Sequence, residues 1–185
     1  MNRASIDVSE QLRFELSRGR IASGAGDSVA VLPFSLLAAL GDSEARIAQE
    51  GRAFGQARGR EMASRIAGKT LSELSSELAG LFALMGLGRP AIEVYGDALL
   101  VRLALPASNA LEAPLQALVV AVLGGVLEAL GQNAPFHVVP VEKTADEWLL
   151  FAGNETAANL MQRAASIGIS LPKALTALGD SAGDF

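Results

Sequence analysis

The chain has no cysteine and a single histidine, His137. Without cysteine there is no disulfide framework, thiolate zinc site, iron–sulfur cluster or cysteine nucleophile. One histidine also excludes a histidine-rich metal site. Aromatic residues are scarce, at 5%, so Leu, Ala, Val and Gly carry the apolarity. Basic charge is short as well: the net charge is −5, and a nucleic-acid binder normally presents a basic face. The longest apolar run, Ala117 to Leu127, is about half of the ~20 residues a bilayer span needs, so it predicts a buried helix. Met1 to Asp7 lacks the apolar core of a signal peptide, which predicts a cytoplasmic location.

The 185 residues suit one domain, and half of them are hydrophobic, enough for a core that needs no metal or disulfide. A mean hydropathy of +0.33 is high for such a domain. It fits either an alanine-rich, closely packed core or an apolar surface covered by a partner chain.

Periodicity and punctuation order the elements. Ile6 to Leu16 carries a weak helical pattern. Arg18 to Ile21 and Val29 to Leu32 flank a Gly/Ser/Asp-rich turn and read as an irregular hairpin. Pro33 opens a short helix over 34–40 that Gly41 closes. Asp42 is placed to cap a long helix reaching about Ala67, and Thr70-Leu71-Ser72-Glu73 has the spacing of a capping box. The helix after it carries Leu71, Leu74, Leu78, Leu81, Phe82 and Met85 on one stripe and stops at Gly86 and Gly88.

The period then changes to two. Strands over 91–95 and 98–105 are joined by Gly96-Asp97, a two-residue hairpin signal. Pro114 opens a helix to about Leu130. Strands over 136–141 and 147–151 follow, then a helix capped by Asn154, a last helix over 171–178, and a frayed tail over 181–185. The fold class expected is α/β, an antiparallel sheet of hairpins packed on a helical layer.

Gly51, Gly55 and Gly59 recur every four residues inside the long helix. Each costs about 1 kcal/mol relative to alanine. Together they make a groove without side chains that something must fill. The candidates are another helix of the chain, the matching helix of a second copy, or a ligand. The helix bearing Gly124 and Gly125 is the natural intrachain partner. Arg46, Arg52, Arg58, Arg60 and Arg65 crowd the same helix, where Glu44, Glu50 and Glu61 suit them as surface pairs.

Ala63 to Thr70 imitates a phosphate loop, but a helix precedes it where the mechanism needs a strand, so the match reads as chance. No acid–base or nucleophile pair is evident, so no catalytic residue, metal ligand or cofactor is assigned.

Several segments carry a resemblance. Arg18-Gly19-Arg20-Ile21, Val29 to Pro33, Glu50 to Gly55, Gly86-Leu87-Gly88 before Ile92 to Tyr95, and Leu123 to Leu127 before Val138 to Val141 resemble the vinyl-4-reductase-like, or hydrocarbon-binding, domain family. The likeness covers residues 18–152, leaving 1–17 as an N-terminal extension and 153–185 as C-terminal helices and tail. It implies the fold of the vesicle-tethering TRAPP subunits, homodimers, and an apolar pocket between helices and sheet for a small hydrophobic effector or a docking partner. The implied walls are Phe54, Met62, Leu81, Phe82, Met85 and Leu123, with Tyr95, Arg102 and His137 as orienting polar groups. Many members carry cysteines near the last hairpin. Here the segment is Glu142 to Trp148, so any role of those cysteines is lost.

Gly59 to Arg65, Glu77-Leu78 and Ala113-Pro114 are similar instead to the D component of bacterial cellulose synthase complexes, an oligomeric scaffold that guides glucan chains. Both resemblances imply a binding or assembly protein without chemistry of its own.

Overall fold

The computed structural model describes residues 12–23, 28–33, 36, 39–41, 43–66, 70–95, 98–105, 113–131 and 135–182. The architecture is mixed α/β with antiparallel sheets and helices on them. A small sheet holds β1 (Leu12–Glu15), β2 (Arg20–Ser23) and β3 (Ser28–Val29) in that order. Helices α1 (Glu44–Ile66) and α2 (Leu71–Met85) follow. Next come β4 (Arg89–Tyr95), β5 (Ala98–Ala104), α3 (Ala113–Leu130), β6 (His137–Lys143) and β7 (Glu147–Gly153). Helices α4 (Glu155–Ser166) and α5 (Leu171–Ala182) complete the described chain. The main sheet has the order β4-β5-β7-β6.

The helix expected over 6–16 is not what forms at its end. Leu12–Glu15 is a strand, and Phe14 pairs with Ile21. Leu12 and Phe14 already alternate with Arg13 and Glu15, and β2 supplies the hydrogen-bond partners that four residues cannot find in a fragment of helix. Residues 1–11 lie outside the described residues, as does most of the short helix expected over 34–40. So does Asp42, the expected cap of α1. Ser43 makes the capping contact, its Oγ accepting from the Arg46 N–H at 3.4 Å. The expected tail is shorter, because α5 runs on to Ala182.

Local signals elsewhere act as their chemistry requires. Thr70 and Glu73 form a reciprocal capping box, and Gly86, at φ 71°, turns the chain out of α2 in the left-handed conformation that glycine adopts most readily. Tyr95 pairs with Ala98 across the two-residue connection. Asn154 caps α4 by accepting from the Ala157 N–H.

The main core lies between the helices and the inner face of the sheet. Leu78 and Phe82 of α2, Leu118, Val122 and Val126 of α3, and Val101, Leu103, Trp148 and Leu150 of the sheet form it. The outer face is covered in part by α4 and α5, where Leu100, Leu149 and Phe151 meet Ala158, Met161, Ala164 and Leu175. Burial on both faces explains the unbroken apolar run Trp148 to Ala152.

The glycine face of α1 is filled by α3. A Cβ on Gly55 would lie 2.2 Å from the Val122 carbonyl oxygen, and one on Gly125 would lie 2.2 Å from that of Arg52. Gly51 meets Ala121 and Leu118, and Gly59 meets Ala129 and Val126, so the two helices run parallel with their backbones touching. Gly124 faces the sheet instead, toward Phe136 and Val138. Among the described residues no helix is long and apolar enough to cross a membrane.

Candidate functional site

The six implied wall residues belong to one packed core cluster. Phe82, Met85 and Leu123 are packed into the core with Met62, and Phe54 and Leu81 rest half-buried against it. Met62 and Leu81 also edge a cleft of about 530 Å³ between α1 and α2, rimmed by Arg58, Glu61, Arg65 and Glu77. There Arg58 donates through Nη1 to Glu61 and lies over the ring of Phe54, with its Nε left unpartnered, and Arg65 pairs with Glu77.

Of the three orienting groups, Arg102 and His137 stand apart. Arg102 lies exposed on the outer face of the sheet, held by Glu93 at 2.9 Å and by Glu147. Hydrogen bonds to those carboxylates, with their charges, push its already high pKa further up. The side chain of Tyr95 lies outside the described residues. Arg102 edges a cleft of about 480 Å³ between α2 and the sheet, beside Ser75, Arg89 and Glu147, and His137 lines a different one.

That cleft, about 590 Å³, follows β6 along the open edge of the sheet. One wall is α3, presenting Ala117, Val120, Ala121 and Gly124, with Ala48 and Arg52 of α1 behind it. The other is α4, through Ala158, Asn159 and Gln162. Phe136 to Pro140 form the floor, and Lys143 and Trp148 line the cleft with Gln116 of the first turn of α3. The glycine at 124 keeps this channel wide: a Cβ there would already stand 3.7 Å from Val138.

At the His137 end the charges are matched. Glu128 accepts from Arg52 Nε at 2.7 Å and from Gln56 Nε2 at 3.0 Å, and Arg52 Nη2 also donates to the Phe136 carbonyl at 3.1 Å. Arg52 thereby ties α1, α3 and the start of β6 together. Burial pushes the Glu128 carboxyl up, but the hydrogen bonds from Arg52 and Gln56 and the charges of Arg52 and His137 outweigh it, holding the group below its ordinary value. Sequence periodicity did not single out Glu128. Its only signal was a lone carboxylate ending the run Ala117 to Leu127.

The Lys143 end is unbalanced. Among the described residues Lys143 makes no ion pair, and its ammonium sits 4.9 Å from the centre of the Trp148 ring. Trp148 is 2% exposed, and its indole Nε1 has no hydrogen-bond partner. An orphan donor at such depth is uncommon in a folded protein and calls for an explanation.

The two edges of the sheet are closed to strand addition by different means. On β4 the Ile92 N–H donates to the Ser75 hydroxyl of α2 at 3.1 Å. On β6 Pro140 has no N–H, and a register shift between Pro140 and Glu142 breaks the ladder. Proline and bulges are common protections of an edge. The β6 cleft therefore offers side-chain surface in place of a pairing template. Comparison of the sequence with protein-family models and with curated proteins finds no match.

Proposed function

We propose that this chain is a non-enzymatic binding module, a homodimer whose cleft along β6 takes a small hydrophobic effector. The observation that carries the reading is the cleft itself. Its volume falls in the usual range for small-molecule sites, its α3 wall is apolar from Ala117 to Gly124, and its charged groups stand toward the ends, with Asn159 and Gln162 polar on the α4 wall. The ligand class is the one implied by the resemblance to hydrocarbon-binding domains, but the site assigned is the open sheet edge in place of the helix-to-sheet core. The edge protection by Pro140 and the bulge favours a molecule over an added strand.

A docking role has its own support at another surface. Leu84 is 55% exposed and Val31 46%, and the two flank Met85, whose carbonyl accepts from the Val31 N–H. Self-association through this face would cover apolar surface that the fold leaves bare.

A ligand that binds only the folded state raises its stability by an amount set by its concentration over Kd. A thermal-shift screen with aromatic hydrocarbons, fatty acids and isoprenoids should therefore find stabilising compounds, and native mass spectrometry should show one retained on purification. Absence of both removes the effector reading and leaves docking ahead. Light scattering at micromolar concentration should give twice the 19.1 kDa chain mass, and a monomer would end the dimer claim.

A further inference from the structure

Resting on that reading of the β6 cleft, we infer that its ligand is an amphiphile with an acidic head group. The head is held at the Lys143–Trp148 end, and the apolar tail lies along Ala117, Val120, Ala121 and Gly124 of α3. The Arg52 end cannot select an anion, because Arg52 is already neutralised by Glu128 and committed to the Phe136 carbonyl. Among the described residues the opposite end has two donors that no acceptor is paired with. Lys143 carries a charge with no ion pair among the described residues, and the buried Trp148 indole N–H is unpartnered. Gln116 places the first turn of α3 on the same cleft, where the positive end of the helix dipole adds to the attraction for an anion. One carboxylate supplies what both donors lack: two oxygens, each able to accept. Glu44, in the first turn of α1, is the carboxylate of the protein itself that lines the cleft. It is exposed and does not pair with Lys143, so it opposes the ligand weakly.

Seven strand residues span about 20 Å, so the floor accommodates an extended chain between the two ends. The pattern of one cationic end, an apolar wall and a neutralised far end separates an acidic amphiphile from a plain hydrocarbon, which would leave both donors unsatisfied.

Trp148 is the sole tryptophan, so its emission reports on this end of the cleft alone. The probes are dodecanoate, dodecanol and dodecyltrimethylammonium, each below its micelle concentration. Dodecanoate should change the emission and bind at least about tenfold more tightly than dodecanol, the worth of one charge-assisted hydrogen bond. Lys143→Met should remove that preference while leaving dodecanol affinity unchanged, and Glu44→Gln should strengthen dodecanoate binding. Trp148→Phe leaves a cavity in the core and should lower the melting temperature, so its binding is read by calorimetry where the variant is still folded; there dodecanoate should lose more affinity than dodecanol, because only the donor's partner distinguishes the two.

Equal binding of dodecanoate and dodecanol, unaltered by Lys143→Met, would overturn the head-group assignment and leave the apolar cleft standing. Failure of all three probes would take both down. Vesicles of phosphatidylcholine with phosphatidylserine carry a carboxylate on a bilayer. Binding to these but not to monomeric dodecanoate would also overturn the inference, since the tail then never enters the cleft.

Discussion

A single methyl group placed on either of two helical glycines should move stability in opposite directions. At Gly55 the added Cβ would lie 2.2 Å from the Val122 carbonyl oxygen and 3.0 Å from the Val126 nitrogen. Both neighbours are backbone, so the strain cannot be relieved by a rotamer. α1 and α3 must move apart by roughly 1 Å, which also loosens the contacts at Gly51, Gly59 and Gly125. Overpacking against rigid backbone falls in the upper part of the usual range, about 2–3 kcal/mol, and alanine returns about 1 kcal/mol of helix propensity. The net loss expected for Gly55→Ala is about 1–2 kcal/mol. In a chain of this size that is a fall in melting temperature of roughly 2–8 °C. Gly80 of α2 has nothing within 4 Å of its missing Cβ. Gly80→Ala should therefore keep the full propensity gain of up to about 1 kcal/mol, a rise of roughly 2–4 °C. Thermal melts followed by circular dichroism, run side by side, read both. A Gly55→Ala protein that melts at or above the parent temperature would refute the backbone contact between α1 and α3. A loss at Gly80 equal to that at Gly55 would show that the difference in packing had no energetic consequence.

Thr70→Ala removes the acceptor for the Glu73 N–H and the hydroxyl's own bond to the Glu73 carboxylate, while the backbone half of the box remains, and should cost about 1 kcal/mol in denaturant unfolding. Ser75→Ala leaves the Ile92 N–H on the edge of β4 without its hydroxyl partner; the amide should then exchange with solvent faster, and unchanged exchange would deny that Ser75 seals the edge. Because the Glu128 carboxyl titrates below its unfolded value of 4.5, its contribution to stability is complete above that value and is lost as the pH falls through the lower folded one. Glu128→Gln should therefore flatten the acid limb of the stability curve, measured from about pH 6 to about pH 3, and an identical limb would show that the Arg52–Glu128 contact contributes nothing.

The elements that were legible in the sequence are those whose signals are local. The Thr70–Glu73 box, Gly86 and Asn154 act through hydrogen bonds or backbone angles within a few residues, so their effect is written where they stand. The two-residue connection before Ala98 and the alternation from Val101 to Leu105 specify a hairpin in the same way. The glycine spacing of α1 fixed that a side-chain-free face exists. It pointed to the helix bearing Gly124 and Gly125 as the natural intrachain cover, which the structure bears out, but left a second copy or a ligand open because that helix is more than sixty residues away.

The sites that escaped sequence reasoning depend on meetings between distant segments. Arg52 read as one of several surface arginines, yet only the packing of α3 beside α1 brings Glu128 to it. Phe82, Met85 and Leu123 have the composition of a pocket wall and also that of a core. The choice depends on whether the opposing side chains reach them, which no periodicity records. The strand at Leu12–Glu15 was decided by the partner strand that it found. Composition, caps and periodicity thus determined the α/β class, most element boundaries and the apolar faces, since each is set by neighbours along the chain. The tertiary structure alone decided that α3 occupies the glycine groove, that the cleft lies along β6, and that Trp148 is left with an unpaired N–H, because burial and charge balance are properties of surfaces brought together from different parts of the sequence.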